Sequence, residues 1–100
     1  MYCYLWKYRV KKEFIQEFKE IYSGSGKWAE LFRLSEGYKG TELFVEAADE
    51  NIMITIDYWA DAKSRSVFME NYKTEYSKLD EHCSRFTEEE TFTGEFEKAA

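Results

Sequence analysis

The sequence has 100 residues, and its 14 lysines and arginines against 20 aspartates and glutamates give a net charge of −6. This length fits one domain, and an acidic chain without a basic stripe argues against a nucleic-acid partner, whose phosphates it would repel. Aromatic residues make up 19% of the chain, more ring surface than one small core can hide, which indicates a partner subunit or a ligand pocket.

The sequence predicts no membrane or export segment and no metal or cofactor site. No apolar run approaches the roughly 20 residues of a spanning helix. The N-terminal run 1–7 lacks the basic leader and long apolar core of a signal peptide, so we expect a cytoplasmic protein. Cys3 and Cys83 show neither metal spacing nor a disulfide framework and are expected to be buried thiols.

Four segments alternate with a period of two, which is typical of β-strands. They are 2–10, 38–48, 51–59 and 91–96. The third is the clearest: its isoleucines fall on one face, and the other face carries Met53, Thr55, Asp57 and Trp59. The short link 49–51 predicts an antiparallel hairpin of the second and third strands. Gly40 predicts a bulge or a close backbone approach. The acidic run 88–90 predicts a solvent-facing turn.

Two regions show the three-to-four spacing of helices. The first region opens at Lys12 and Glu13, stops at the Ser-Gly run 23–26, and continues in a short helix that Gly37 is expected to end as its C′ residue. The second begins at Asp61 as N-cap, with one break expected between Tyr72 and Lys78. Its apolar stripe consists of Phe68, Tyr72, Tyr76, Leu79, Cys83 and Phe86.

The element order predicts one α+β domain over residues 1–100, a ferredoxin-like β-α-β-β-α-β fold with a four-stranded antiparallel sheet. Helices on one face would leave the other face bare, and both strand faces carry apolar or aromatic side chains. Pairing two bare faces would close a barrel with the helices outside, so we predict a homodimer, that is, a dimeric α+β barrel.

Three segments carry a family resemblance: Trp28-Ala-Glu-Leu-Phe, Gly37-Tyr-Lys-Gly-Thr-Glu-Leu and Ile54-Thr-Ile-Asp-Tyr-Trp-Ala-Asp. The chain resembles the antibiotic-biosynthesis monooxygenase family of the dimeric α+β barrel superfamily over nearly its whole length. The resemblance implies a ligand between sheet and helices in each subunit, and a cofactor-free oxygenase acting on an aromatic small molecule. The haem-degrading branch is disfavoured, because the first strand has no Asn and His82 lies later than that pattern implies.

Two residues are candidates for catalysis. Asp57 stands between bulky neighbours, where desolvation would raise its pKa and suit it to abstract a proton; the alternative is a structural pair with Arg9 or Lys7. His82, the only histidine, is the natural acid/base near neutral pH; the alternative is a half-exposed helical histidine without a role.

Four aromatic residues are candidates for substrate binding. Trp59 could stack on a flat ring, or plug the end of the sheet against the helices. Tyr72 could direct a substrate oxygen, or be a core ring. Trp28 and Phe32 share one side of the short helix. The sequence leaves two functions open: a cofactor-independent oxygenase for an aromatic or quinol-like substrate, or a dimeric barrel that binds an apolar small molecule without chemistry.

Overall fold

The computed structural model describes all 100 residues as one α+β domain. Its strands are β1 (Tyr2–Val10), β2 (Tyr38–Val45), β3 (Ile52–Trp59) and β4 (Thr87–Glu97). Its helices are α1 (Ile15–Tyr22), α2 (Lys27–Phe32), α3 (Ala62–Asn71) and α4 (Lys73–Cys83), with short 3₁₀ turns at Lys12–Phe14 and Ser84–Phe86. The strands form one sheet in the order β2-β3-β1-β4 with every pair antiparallel, which confirms the predicted ferredoxin-like arrangement.

The two faces of the sheet follow the alternation of β3. Met53, Thr55 and Trp59 are buried beneath the helices. Their partners on β1 are Tyr8, Trp6 and Tyr2, so the even-numbered residues of β1 share that inner face. A core rich in aromatic rings packs between this face and the helices.

The outer face of the sheet carries apolar side chains with no helix over them. Leu5 pairs with Ile56 in the two central strands, and Phe44 of β2 pairs with Ile54. Phe44 is 46% exposed and Phe96, at the other edge, is 52% exposed. The apolar outer face that the prediction of a dimer requires is therefore present.

The last strand starts earlier than the sequence predicted. β4 begins at Thr87, and the acidic run 88–90 lies in the strand rather than in a turn. β1 is long enough to pair with it: Glu90 lies opposite Tyr8, and Glu89 opposite Arg9. The prediction of a turn was wrong because ladder pairing with β1 outweighs the low strand propensity of glutamate. This extension places Glu90 on the inner face.

The predicted start and break of the second helical region are confirmed. The Asp61 carboxylate accepts hydrogen bonds from the Ser64 backbone N–H and hydroxyl, each at 2.8 Å, as an N-cap does. The region breaks at Tyr72, where α3 gives way to α4. At Gly40, φ is +132° and the β2–β3 register shifts, so the predicted bulge is also present.

Gly37 does not cap a helix, because α2 already ends at Phe32. Its role is close packing: a Cβ at this position would lie 2.4 Å from the Cβ and Oγ of Ser64, in the first turn of α3. The missing side chain therefore lets the start of β2 pass directly beneath α3.

Replacing Gly37 with alanine is expected to lower the free energy of unfolding by about 1–3 kcal/mol, because α3 must shift to relieve the clash. Urea unfolding followed by circular dichroism measures the loss. Glu36→Ala is the matched control at the exposed neighbouring position and is expected to change stability by less than about 0.5 kcal/mol. Equal stability of the two variants would show that Gly37 is not needed for this packing.

Candidate functional site

A cavity of about 120 Å³ lies between the inner face of the sheet and the helices. Its walls are mainly aromatic, from Tyr4, Trp6, Tyr8, Tyr22, Trp28, Phe32 and Tyr76. Its polar groups belong to Thr41, Thr55, Asp57, Arg65, Asp80 and Glu90. The cavity is smaller than the roughly 300–1,000 Å³ of pockets for drug-sized ligands, so it favours a compact ligand.

Asp57 of β3 contributes a carboxyl group to the wall of this cavity. It lies opposite Tyr4 of β1 and Thr41 of β2, and the Thr41 hydroxyl donates a hydrogen bond of 2.6 Å to its Oδ1. The Tyr38 hydroxyl lies 2.5 Å from the same threonine oxygen and donates to it, because that proton of Thr41 is already engaged. Asp57 is thus held by a chain of two hydroxyl groups.

Burial raises the pKa of Asp57 from 3.8 to about 6, while the Thr41 hydrogen bond and the positive charge of Arg65 pull it downward. The alternative pairing with Arg9 or Lys7 was wrong, because odd-numbered residues of β1 lie on the outer face, and Arg9 contacts Asp49 at 3.7 Å. A carboxyl group with this pKa is mostly ionised at neutral pH and can still accept a proton, as a general base must.

Replacing Thr41 with valine is expected to raise the pKa of Asp57 above about 6, because the variant removes a hydrogen bond that stabilises the carboxylate. Carbon-13 NMR of the side-chain carboxyl measures the titration directly. Thr91→Val, on an exposed outer-face residue, is the control and is expected to leave the pKa unchanged. A pKa that stays the same or falls in Thr41→Val would contradict the assignment of this hydrogen bond.

Burial raises the pKa of the Tyr8, Tyr22 and Tyr76 hydroxyl groups, so these three groups are protonated at neutral pH. Burial raises the pKa of Tyr8, whose hydroxyl lies 3.0 Å from Thr55 Oγ1. Burial also raises the pKa of Tyr76 to about 12, the lowering effect of Arg65 being smaller. These groups can therefore offer hydrogen bonds to a ligand but do not act as bases near neutral pH.

Three of the six predicted site residues line the cavity, namely Asp57, Trp28 and Phe32. Trp59 belongs to the core: it is 1% exposed, and its ring packs against those of Phe32, Tyr38 and Phe68 at 5.3–5.5 Å. Tyr72 packs on Phe68 with ring centroids 5.2 Å apart and is also outside the lining.

His82 is exposed on α4, where its ring meets Phe86 edge-on at 5.9 Å. The structure does not bring it to the cavity. No group of three or more His, Cys, Asp or Glu side chains is placed to hold a metal ion. None of the helices is long and apolar enough to cross a membrane.

The polar lining residues Thr41, Arg65, Asp80 and Glu90 were not predicted from the sequence. Thr41 alternates with the same parity as Leu43 and Val45, so the sequence could have assigned it to their strand face. Its position beside Asp57 depends on the register of β2 on β3, which the sequence does not give. Arg65 lies in a helix without a continuous apolar stripe, so no pattern marks its inner side. Glu90 was hidden by the wrong prediction of a turn.

The sequence matches no protein-family model and no curated protein. Solved structures match across the whole fold. A candidate antibiotic biosynthesis monooxygenase from Bordetella bronchiseptica has a TM-score of 0.77 at 13% identity, covering 99% of this chain and 97% of that one. A variant of SnoaB, a cofactor-independent oxygenase from Streptomyces nogalater, has a TM-score of 0.75 at 15% identity, covering 99% and 93%.

A third neighbour carries a different description. An uncharacterized NIPSNAP domain protein from Burkholderia xenovorans has a TM-score of 0.71 at 15% identity, covering 100% of this chain and 96% of that one. At these identities the comparisons establish the fold, while the activity has to be argued from the site. The family resemblance stated from the sequence is confirmed at the level of the fold: the chain has the fold of the antibiotic biosynthesis monooxygenase structures.

Proposed function

We propose that the protein is a cofactor-independent monooxygenase that acts on a compact aromatic or quinol-like molecule. The observation that carries the proposal is the Asp57 carboxyl group, with a pKa of about 6, in the wall of an aromatic cavity. The fold shared with SnoaB, a cofactor-independent oxygenase, supports the same reaction class.

In the proposed reaction, the Asp57 carboxylate takes the proton of a substrate hydroxyl group and leaves an electron-rich anion. The anion passes one electron to O₂, and the resulting substrate radical and superoxide combine into a peroxide on the ring carbon. Asp57 returns its proton to the peroxide anion. The hydroperoxide then loses water, as its O–O bond and the C–H bond of the same ring carbon break, which leaves a carbonyl group and the regenerated Asp57 carboxylate. For a phenol the balance is phenol plus O₂ to quinone plus water, so the substrate supplies both electrons and no external reductant is needed.

Aromatic walls suit this chemistry because they exclude water and hold a flat ring. Trp28 and Tyr76 approach each other with ring centroids 4.9 Å apart, and Trp28 is within 5.8 Å of Phe32. These rings give a ligand large apolar contact surfaces with few rotatable bonds. The proposal assigns binding roles to Trp28 and Phe32 and none to His82, Trp59 or Tyr72, which lie outside the lining.

Oxygen uptake with a panel of quinols, phenols and anthrones tests the proposal. We expect uptake to be fastest with single-ring quinols, because the cavity is small, and to fall when Asp57 is replaced. An absence of uptake across the panel, or uptake that does not depend on Asp57, would remove the proposed activity.

The second candidate function is binding without chemistry. It is favoured by the position of His82 outside the cavity, which leaves Asp57 without a histidine beside it. A thermal-shift screen over the same panel separates the two functions. Stabilisation by a quinol with no oxidised product in air would favour the binding module.

We also propose that two copies pair through their outer sheet faces. Leu5, Ile54 and Ile56 are only half-buried within one chain, and no helix covers them. Sheet-on-sheet packing would bury these residues together with Phe44 and Phe96 and would close the barrel. The cytoplasmic location expected from the sequence stays a prediction.

A further inference from the structure

Arg65 on α3 is the cationic side chain in the cavity wall. Its guanidinium carbon lies 3.6 Å from the centre of the Tyr4 ring, and the side chain is half-buried. It forms neither of the two ion pairs of the protein, which are Arg9–Asp49 and Arg85–Glu17. Its hydrogen-bond donors therefore have no carboxylate partner and remain free for a ligand.

The cavity has an acid–base pair of residues at one end and only acidic residues at the other. Asp57 lies opposite Tyr4 on β1 and Glu90 lies opposite Tyr8. Four residues of a strand span roughly 13 Å, so Asp57 and Arg65 mark one end and Glu90 the other. Partial desolvation raises the pKa of Glu90, and the negative charge of the nearby Asp80 adds to the increase. Both acids are exposed residues, and neither has an ion-pair partner.

We propose that Arg65 binds the oxyanion of the ligand, and that the cavity selects hydroxyaromatic compounds with one ionised oxygen and no second anionic group. This inference rests on the proposed function, in which Asp57 creates the anion. Once Asp57 has taken the proton, the new phenolate lies beside a guanidinium, which stabilises it by charge-assisted hydrogen bonds. An acidic substituent across the ring would face Asp80 and Glu90 and would be repelled.

The ionisation of bound 4-nitrophenol tests the role of Arg65 without turnover, because only its phenolate absorbs visible light. The titration is made in an Asp57→Asn background, so that the carboxyl group does not compete for the same proton. We expect an acid-dissociation constant about tenfold larger for the bound than for the free phenol. Adding Arg65→Gln is expected to abolish this difference, and adding Arg65→Lys, which keeps the charge, to retain most of it.

Arg85→Gln in the same background is the matched control, because it removes the same charge at an exposed site outside the lining. It is expected to leave the ionisation of the bound phenol unchanged. Failure of 4-nitrophenol to bind, or an equal constant with and without Arg65, would overturn the assignment. Circular dichroism of each variant confirms that the fold is intact.

The selection against a second anion is tested with 4-hydroxybenzoate and its neutral isostere 4-hydroxybenzamide. We expect the benzoate to bind at least tenfold more weakly, and the Asp80→Asn, Glu90→Gln double variant to remove the difference. Equal affinities in the unaltered protein would contradict the inference. If ionisation of the bound phenol depends on Arg65 but no oxygen is taken up, the proposed oxygenase activity is wrong and this inference stands. If oxygen is taken up but Arg65 has no effect on the ionisation, this inference is wrong and the proposed activity stands.

Discussion

Replacing Asp57 with asparagine is expected to lower oxygen-dependent turnover by about 10²–10⁴-fold, the usual contribution of a general base. Asparagine keeps the size of the side chain and can still accept the Thr41 hydrogen bond, so the cavity should keep its shape. The variant should therefore bind substrate with nearly unchanged affinity and fail at proton removal. Steady-state oxygen uptake at pH 7 measures the loss.

The same substitution is expected to make the protein more stable at neutral pH. Burial raises the pKa of Asp57 from 3.8 to about 6, so the folded state holds this proton more tightly than the unfolded state. The cost of ionising Asp57 in the fold is absent below pH 3.8, grows between pH 3.8 and 6, and is complete above about pH 6. Its full size is on the order of 2–3 kcal/mol, and Asp57→Asn removes it.

A gain in stability with a loss of turnover cannot be explained by misfolding, and it is typical of catalytic groups held in unfavourable surroundings. Asp49→Asn is the control, because Asp49 lies outside the cavity beside Arg9, and it should change turnover little. For the proposed reaction of the unaltered protein, kcat/KM should rise through about pH 6 to a plateau. A destabilised Asp57→Asn variant, or a pH profile flat between 5 and 7, would contradict a desolvated base.

Replacing Ile56 with glutamate is expected to convert a dimer into a monomer. Ile56 pairs with Leu5 on the central strands, so a symmetric contact of two outer faces would bury the new charge from both copies. Two unpaired buried charges should raise the dissociation constant by on the order of 100-fold or more. Sedimentation at micromolar concentration should give twice the 12.0 kDa of one chain for the unaltered protein and a single-chain mass for the variant.

Ser66→Glu is the matched control for this experiment, because it adds the same charge at an exposed position of α3, away from the outer face of the sheet. It should sediment like the unaltered protein. A mass of 12.0 kDa for the unaltered protein itself would rule out the homodimer.

The sequence was sufficient to predict the order of the elements and the two faces of the sheet. The alternation from Ile52 to Trp59 assigns each residue of β3 to a face, since the side-chain period of a strand is two. The helix start at Asp61 and the helix break near Tyr72 could be predicted, because both features depend on residues that are close in the sequence. The start of β4 could not, because the glutamates at 88–90 become strand residues only through pairing with a distant segment.

The site could be predicted only in part, because a cavity depends on position along a strand as well as on parity. Asp57 and Trp59 have the same parity, yet Asp57 lies in the cavity wall and Trp59 two residues later is packed into the core. The Arg65 guanidinium lies over the Tyr4 ring, a contact between residues 61 positions apart that no local pattern encodes.

The most direct test of the central claim, that the Asp57 cavity inserts one oxygen atom into a hydroxyaromatic ring without a cofactor, is mass spectrometry of the product formed under ¹⁸O₂. With metal-free protein and a quinol or phenol that gives oxygen uptake, the new carbonyl group should carry one ¹⁸O atom, and Asp57→Asn should form almost no product. A product without the label, or labelled product formed equally well by the variant, would contradict the account.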